Sequence, residues 1–99
     1  MFDKLMQAQQ KAGEMKVRLD SITVSGTAEG GKITVNANGN KVIQSIIIDD
    51  AFYKEADREQ LEELLVTAIN KAMEQADSIS QSEMSAMTKE MLGGLGNIF

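Results

Sequence analysis

The chemistry open to this 99-residue chain is bounded first by what it lacks. It contains no histidine and no cysteine. That removes the commonest general base, the usual zinc ligands, and the Ser–His and Cys–His nucleophiles. A catalyst would have to be built from Asp, Glu, Lys or Ser. No constellation of these stands out from ordinary solvated helix faces, so no catalytic residue and no enzyme activity are expected. What remains is a cationic pattern. Lys4, Lys11 and Arg18 recur every seven residues, Lys16 lies on the other flank of the same segment, and Gln7, Gln9 and Gln10 are interspersed. Cations in a row contact phosphate, and glutamine can hydrogen-bond phosphate or base edges. The same spacing also suits the flanks of a coiled coil, where the cations pair with acids of a neighbouring helix. Both readings stand at this point, and they are compatible for a side chain at the edge of a seam.

Three further stretches invite a functional reading that their context does not support. Gly26-Thr27-Ala28-Glu29-Gly30-Gly31-Lys32-Ile33 has the spacing of a phosphate-binding loop, but Ile33 stands where Ser or Thr should hold magnesium. Lys32-Ile33-Thr34-Val35 reads as a strand rather than a helix start, and Glu29 would repel phosphate. A hairpin turn is the better account, and no cofactor is expected. Asn36-Ala37-Asn38-Gly39-Asn40 lacks the carboxylates of a calcium loop. Asn38-Gly39 reads instead as a hairpin signal, since both residues tolerate positive φ. Asp49-Asp50 offers two carboxylates without further ligands, which suits a turn and helix start better than a metal site.

The elements that must position the cations follow from periodicity. Leu5, Ala8, Ala12, Met15, Leu19 and Ile22 form a heptad seam, which predicts a first helix. Two alanines make the seam thin, and Gly13 weakens the helix by about 1 kcal/mol relative to Ala, so a packed neighbour is needed. From Ile22 to Ile48, three β-branched runs are separated by Glu29-Gly30-Gly31 and Asn38-Gly39-Asn40, predicting a three-stranded antiparallel meander. In the third run, Val42, Ile46 and Ile48 fall on one face by strict alternation, and Ile43 and Ile47 on the other. An edge strand that is apolar on both faces invites pairing with another chain. Val42, Ile43, Ile46, Ile47 and Ile48 are therefore expected at a homodimer interface, the alternative being cover by the chain's own two helices.

Ala51-Phe52-Tyr53 is expected to be a short turn with its aromatics on the core. Asp57, with Gln60 at capping-box spacing and Glu59, Glu62 and Glu63 close behind, opens a second long helix. Its apolar face runs through Leu61, Leu64, Leu65, Ala68, Ala72, Ala76 and Ile79, widened by Val66, Ile69 and Met73. That width predicts that it covers the sheet first and pairs with helix 1 afterwards. Met84, Met87 and Met91 read as an adaptable packing row rather than a metal site. Gly93-Gly94 is expected to stop the helix, leaving one domain at 1–92 and a flexible apolar tail at 93–99.

The net charge of −5 is uneven. Residues 1–20 hold Lys4, Lys11, Lys16 and Arg18 against Asp3, Glu14 and Asp20, whereas residues 49–99 hold four basic and eleven acidic side chains. Helix 1 is thus suited to meet either helix 2 or an external anion. No membrane span or signal segment is visible, which predicts a soluble, cytoplasmic protein with no membrane partner.

Leu5-Met6-Gln7-Ala8-Gln9-Gln10-Lys11, Glu29-Gly30-Gly31-Lys32, Ile33-Thr34-Val35-Asn36-Ala37-Asn38-Gly39 and Ile46-Ile47-Ile48-Asp49, with the acidic start of helix 2, resemble the YbaB/EbfC family of bacterial nucleoid-associated proteins. The resemblance runs over nearly the whole chain. It implies an α+β fold of helix, three-stranded antiparallel meander and long helix. It further implies an intertwined homodimer with a central β-platform and protruding helical arms. The function implied is binding of double-stranded DNA, nucleoid association and effects on gene expression, with no enzymatic activity, cofactor or small-molecule substrate. On that reading Lys4, Gln7, Gln10, Lys11, Lys16 and Arg18 are the DNA-contacting candidates. Two helical arms around a β-region also resemble the prefoldin plan, in which Met84, Met87, Met91 and the tail would hold other protein chains.

Overall fold

The computed structural model describes residues 2–96, with side-chain surroundings given for residues 3–90. The chain is α+β. Helix α1 spans Phe2–Ser21, strands β1, β2 and β3 span Thr23–Ala28, Ile33–Asn38 and Ile43–Ile48, the short helix α2 spans Asp50–Glu55, and α3 spans Arg58–Gly96. The strands form one antiparallel sheet in the order β1-β2-β3.

One face of this sheet is the core. Val24, Gly26 and Ala28 of β1 lie opposite Ala37, Val35 and Ile33 of β2, and all six are buried under α3. Ala68, Ala72 and Ala76 of α3 lie against them with no exposed surface. Small residues on both sides set the helix unusually close. A Cβ added at Gly26 would fall 2.2 Å from the Ala68 carbonyl oxygen and 2.4 Å from the Ala72 nitrogen. Over β1 and β2 the opposite sheet face is polar, with Thr23, Ser25 and Thr27 exposed and Asn36 donating to Ser45 Oγ at 3.0 Å, while β3 adds the exposed Ile47 to it.

The third strand departs from strict alternation. Asn36 lies opposite Ser45, but Ala37 lies opposite Ile43, so the register shifts and Gln44 is the extra residue. Ile43 therefore joins Ile46 and Ile48 on the core side, not Ile47 as an unbroken period of two implies. Only Ile48 is half-buried; Ile46 and Ile47 are 46% and 57% exposed, and Val42 and Ile43 are exposed too. The helical cover lies over β1 and β2.

The turns refine the sequence reading. Between β1 and β2, Glu29, Gly30 and Gly31 all take positive φ, as a glycine hairpin requires. Between β2 and β3 the positive φ falls on Lys41, not on Asn38 or Gly39. Gly39 is needed for proximity instead: a Cβ there would lie 2.9 Å from the Leu19 carbonyl oxygen. The Gly39 N–H donates to the carbonyls of Leu19 (2.9 Å) and Ile22 (3.0 Å), and Asn40 Nδ2 donates to the Lys16 carbonyl at 2.9 Å. The β2–β3 turn thus satisfies the orphan carbonyl of Leu19 and ties itself to the end of α1. Asn38 organises that turn, its Oδ1 accepting the N–H groups of Asn40 and Val42.

Asp49 caps α2 by accepting the Phe52 N–H at 3.0 Å, and Asp57 caps α3 by accepting the Gln60 N–H at 2.8 Å. The expected turn at residues 51–53 is a short helix that buries Phe52 and leaves Tyr53 exposed, because helical geometry sends neighbouring side chains about 100° apart. Val66 is likewise exposed and lies off the apolar face of α3. The long helix passes through Gly93 and Gly94 to Gly96: glycine in a helix costs about 1 kcal/mol but does not forbid it. The expected tail is therefore helical over 93–96, and residues 97–99 lie outside the described residues.

Candidate nucleic-acid interface

Beyond Ile79, α3 runs alongside α1 in the opposite direction. Arg18 Nε meets Glu83 Oε2 at 2.9 Å, and one heptad further out Lys11 Nζ meets Glu90 Oε2 at 3.2 Å. Seven residues back along α1 match seven residues forward along α3, as expected of an antiparallel pair. The apolar seam between them is graded. Leu19 at the base is 4% exposed, Met15 is half-buried, and Leu5 near the start of α1 is 63% exposed, with Ala8 and Ala12 also exposed. The heptad pattern gave the face of the helix correctly but implied more even cover than exists.

The candidate DNA contacts separate by position. Lys4, Gln7, Lys11 and Arg18 share one flank of α1, spread over its length. Lys4, Gln7 and Gln10 are exposed, but Gln10 lies about 100° around the helix from Lys11. Lys16 is exposed on the far flank, beside the β2–β3 turn that bonds its carbonyl. The fold thus aligns Lys4, Gln7, Lys11 and Arg18, places Gln10 at the outer margin of that flank next to Gln7, and sets Lys16 apart. Among the described residues, the ion pairs of α1 are those of Lys11 and Arg18, both with α3.

Lys11, Glu14, Met15 and Arg18 line a shallow groove with Glu83, Met87 and Glu90. Glu83 is the best-covered acid there, its side chain only 20% exposed, while that of Glu90 is 69% exposed. Sequence reasoning does not single out these acids as partners, although the signal is present. Glu83 and Glu90 repeat at the same seven-residue interval as Lys11 and Arg18. A third ion pair, Lys41 to Asp77, fastens the β2–β3 turn to α3.

The methionine row is divided. Met87 is half-buried in the groove against α1, and Met84 points outward and is exposed; the side chain of Met91 lies outside the described set. The candidate interface residues Val42, Ile43, Ile46 and Ile47 are exposed on β3, and Ile48 is half-buried at its end. Among the described residues, no helix is long and apolar enough to cross a membrane.

Comparison with known proteins gives a consistent answer. A "Nucleoid-associated protein" of Flavobacterium johnsoniae is 33% identical over 102 residues, covering 100% of this chain and 94% of its own length. One of Chloroflexus aurantiacus is 37% identical over 99 residues, covering 100% and 95%. The crystal structure of an uncharacterized protein from Helicobacter pylori shares the fold, with a TM-score of 0.69 over 84% of this chain and 96% of its own, at 18% identity. The model of the YbaB/EbfC DNA-binding family matches residues 1–91, and the chain belongs to that family.

Proposed function

We propose that the protein is a nucleoid-associated DNA-binding protein that acts as a homodimer and affects nucleoid organisation or gene expression. Membership of a DNA-binding family over residues 1–91 carries the reading. The names of its relatives support the nucleoid association. The contact surface is the flank of α1 that bears Lys4, Gln7, Lys11 and Arg18, with Lys16 and Gln10 reaching the duplex only at its margins. Cations spaced along one helix flank suit a row of phosphates, so affinity comes mainly from charge and is modest in an acidic chain.

Dimerisation runs through β3. Its outer backbone edge and the side chains of Val42, Ile43, Ile46 and Ile47 are open in the single chain, and an edge of this kind pairs with another strand or is covered. A second copy both relieves that edge and doubles the cationic flank, with the α1–α3 pairs of the two protomers acting as arms. The test is a gel-shift series in rising salt. Wild type should lose affinity steeply with salt. Replacing Lys4, Lys11 and Arg18 by Ala should weaken binding and flatten the slope by about one for each phosphate no longer neutralised. Unchanged affinity and slope would remove this flank from the site.

A further inference from the structure

We propose that Glu83 and Glu90 act as an intramolecular counter-charge on the cationic flank of α1, so that DNA must displace these carboxylates before it engages Arg18 and Lys11. The inference rests on the reading of that flank as the DNA contact, and it names what regulates it.

The groove between α1 and α3 brings two cations, Lys11 and Arg18, beside three carboxylates, Glu14, Glu83 and Glu90. Its local field is therefore acidic, and an approaching phosphate meets repulsion before attraction. The pairing also occupies donors directly: Nε of Arg18 is committed to Glu83 and Nζ of Lys11 to Glu90. The two pairs are not equally firm. Lys11 and Glu90 are both substantially exposed, and such a solvent-screened pair is weak. In the second pair Glu83 is largely covered but Arg18 is 68% exposed, so this pair is only partly shielded from solvent.

Charge density decides which anion succeeds. A duplex presents one phosphate charge per about 1.7 Å of its axis, so several contacts form at once and outweigh the two intramolecular pairs. Inorganic phosphate or a mononucleotide offers one site and gains too little. The glutamates thus select a polyanion over a small anion and keep the affinity for DNA low.

The test compares full-length variants binding a fluorescent DNA duplex at fixed salt. E83Q with E90Q removes charge at near-constant shape, and E59Q with E63Q makes the same charge change at the far end of α3. The first double variant should bind about ten-fold tighter than wild type, since two weak pairs no longer compete. The second should gain much less. Adding K11Q and R18Q to the first should abolish its gain, while circular dichroism keeps each variant's helix content at the wild-type level. Equal gains from both glutamate pairs would overturn the proposal, showing only a net-charge effect. Weaker binding by E83Q/E90Q would also overturn it, because the glutamates would then be orienting the cations. If E83Q/E90Q has no effect while K11Q/R18Q weakens wild type, the counter-charge fails and the DNA contact stands. If neither double substitution changes a measurable wild-type affinity, both fail.

Discussion

The two edges of the sheet are built on opposite plans. At β1 the core-facing residues are Val24, Gly26 and Ala28, and α3 covers them with Ala68, Ala72 and Ala76. At β3 the residues on that side are Ile43, Ile46 and Ile48, larger and more apolar, yet only Ile48 packs against the covered core, and Ile43 and Ile46 stay exposed. Of its two edge strands, the chain thus gives the small residues to the one that α3 packs on and the bulky β-branched residues to the other, while the fully buried Ile33 and Val35 belong to the central strand. Burying a large aliphatic side chain is worth about 1.5–3 kcal/mol, so leaving a row of them exposed makes sense only if another surface covers it. On the proposed dimer, close helix packing at one edge serves the protomer and apolar bulk at the other serves association.

The comparison can be broken experimentally. The largest expected effect is at the open edge. Ile46→Lys combined with Ile47→Lys should convert the protein to monomer in sedimentation equilibrium, whereas Ser25→Lys with Thr27→Lys on β1 should leave the mass unchanged. Equal behaviour of the two double variants would end the distinction between the edges. Beside the covered edge, in the central strand, Ile33→Ala removes a fully buried side chain and should cost about 3–4 kcal/mol in denaturant unfolding. Gly26→Ala adds only one methyl but drives it into the backbone of α3, and should cost about 2–3 kcal/mol. A cost under about 0.5 kcal/mol would mean that the helix can withdraw from β1 freely. The smallest effect is a gain. A methyl group added at Gly13 would have nothing within 4 Å, and the residue takes ordinary helical φ, so Gly13→Ala should stabilise by about 0.5–1 kcal/mol in the same assay.

Much of this is legible in the residues, and the misses have definite physical causes. The seam of α1, the glycine turn at 29–31, the Asp57 cap and the alanine face of α3 all follow from local periodicity and turn chemistry. The extra residue at Gln44 does not, because a strand's alternation is read on the assumption that its period of two is unbroken. Gly39 stands out in the sequence for the wrong reason: its role is the approach of Leu19, a contact from a distant element. Tyr53 and Val66 read as core residues because apolar character alone does not say whether a surface lies opposite. The cationic flank is visible in the sequence, but its acidic partners are not, since nothing in residues 1–20 specifies which part of α3 comes alongside. The heptad interval shared by Lys11, Arg18, Glu83 and Glu90 is the signal that could have supplied that register.

The pairing of Lys11 with Glu90 joins residues 79 apart in the chain. That separation has a meaning in time as well as space. The two hairpins of the sheet close between near neighbours, and α3 can settle on them as soon as residues 61–79 exist. Helix α1 is synthesised before the sheet, yet the stretch of α3 that flanks it is synthesised after the sheet. An isolated thin helix interrupted by glycine is marginal in water, so α1 depends on a partner that lies far along the chain, and closing that pair costs more loop entropy than closing either hairpin. The surface proposed to meet DNA is therefore completed only after the sheet and α3 through Glu90 have been made.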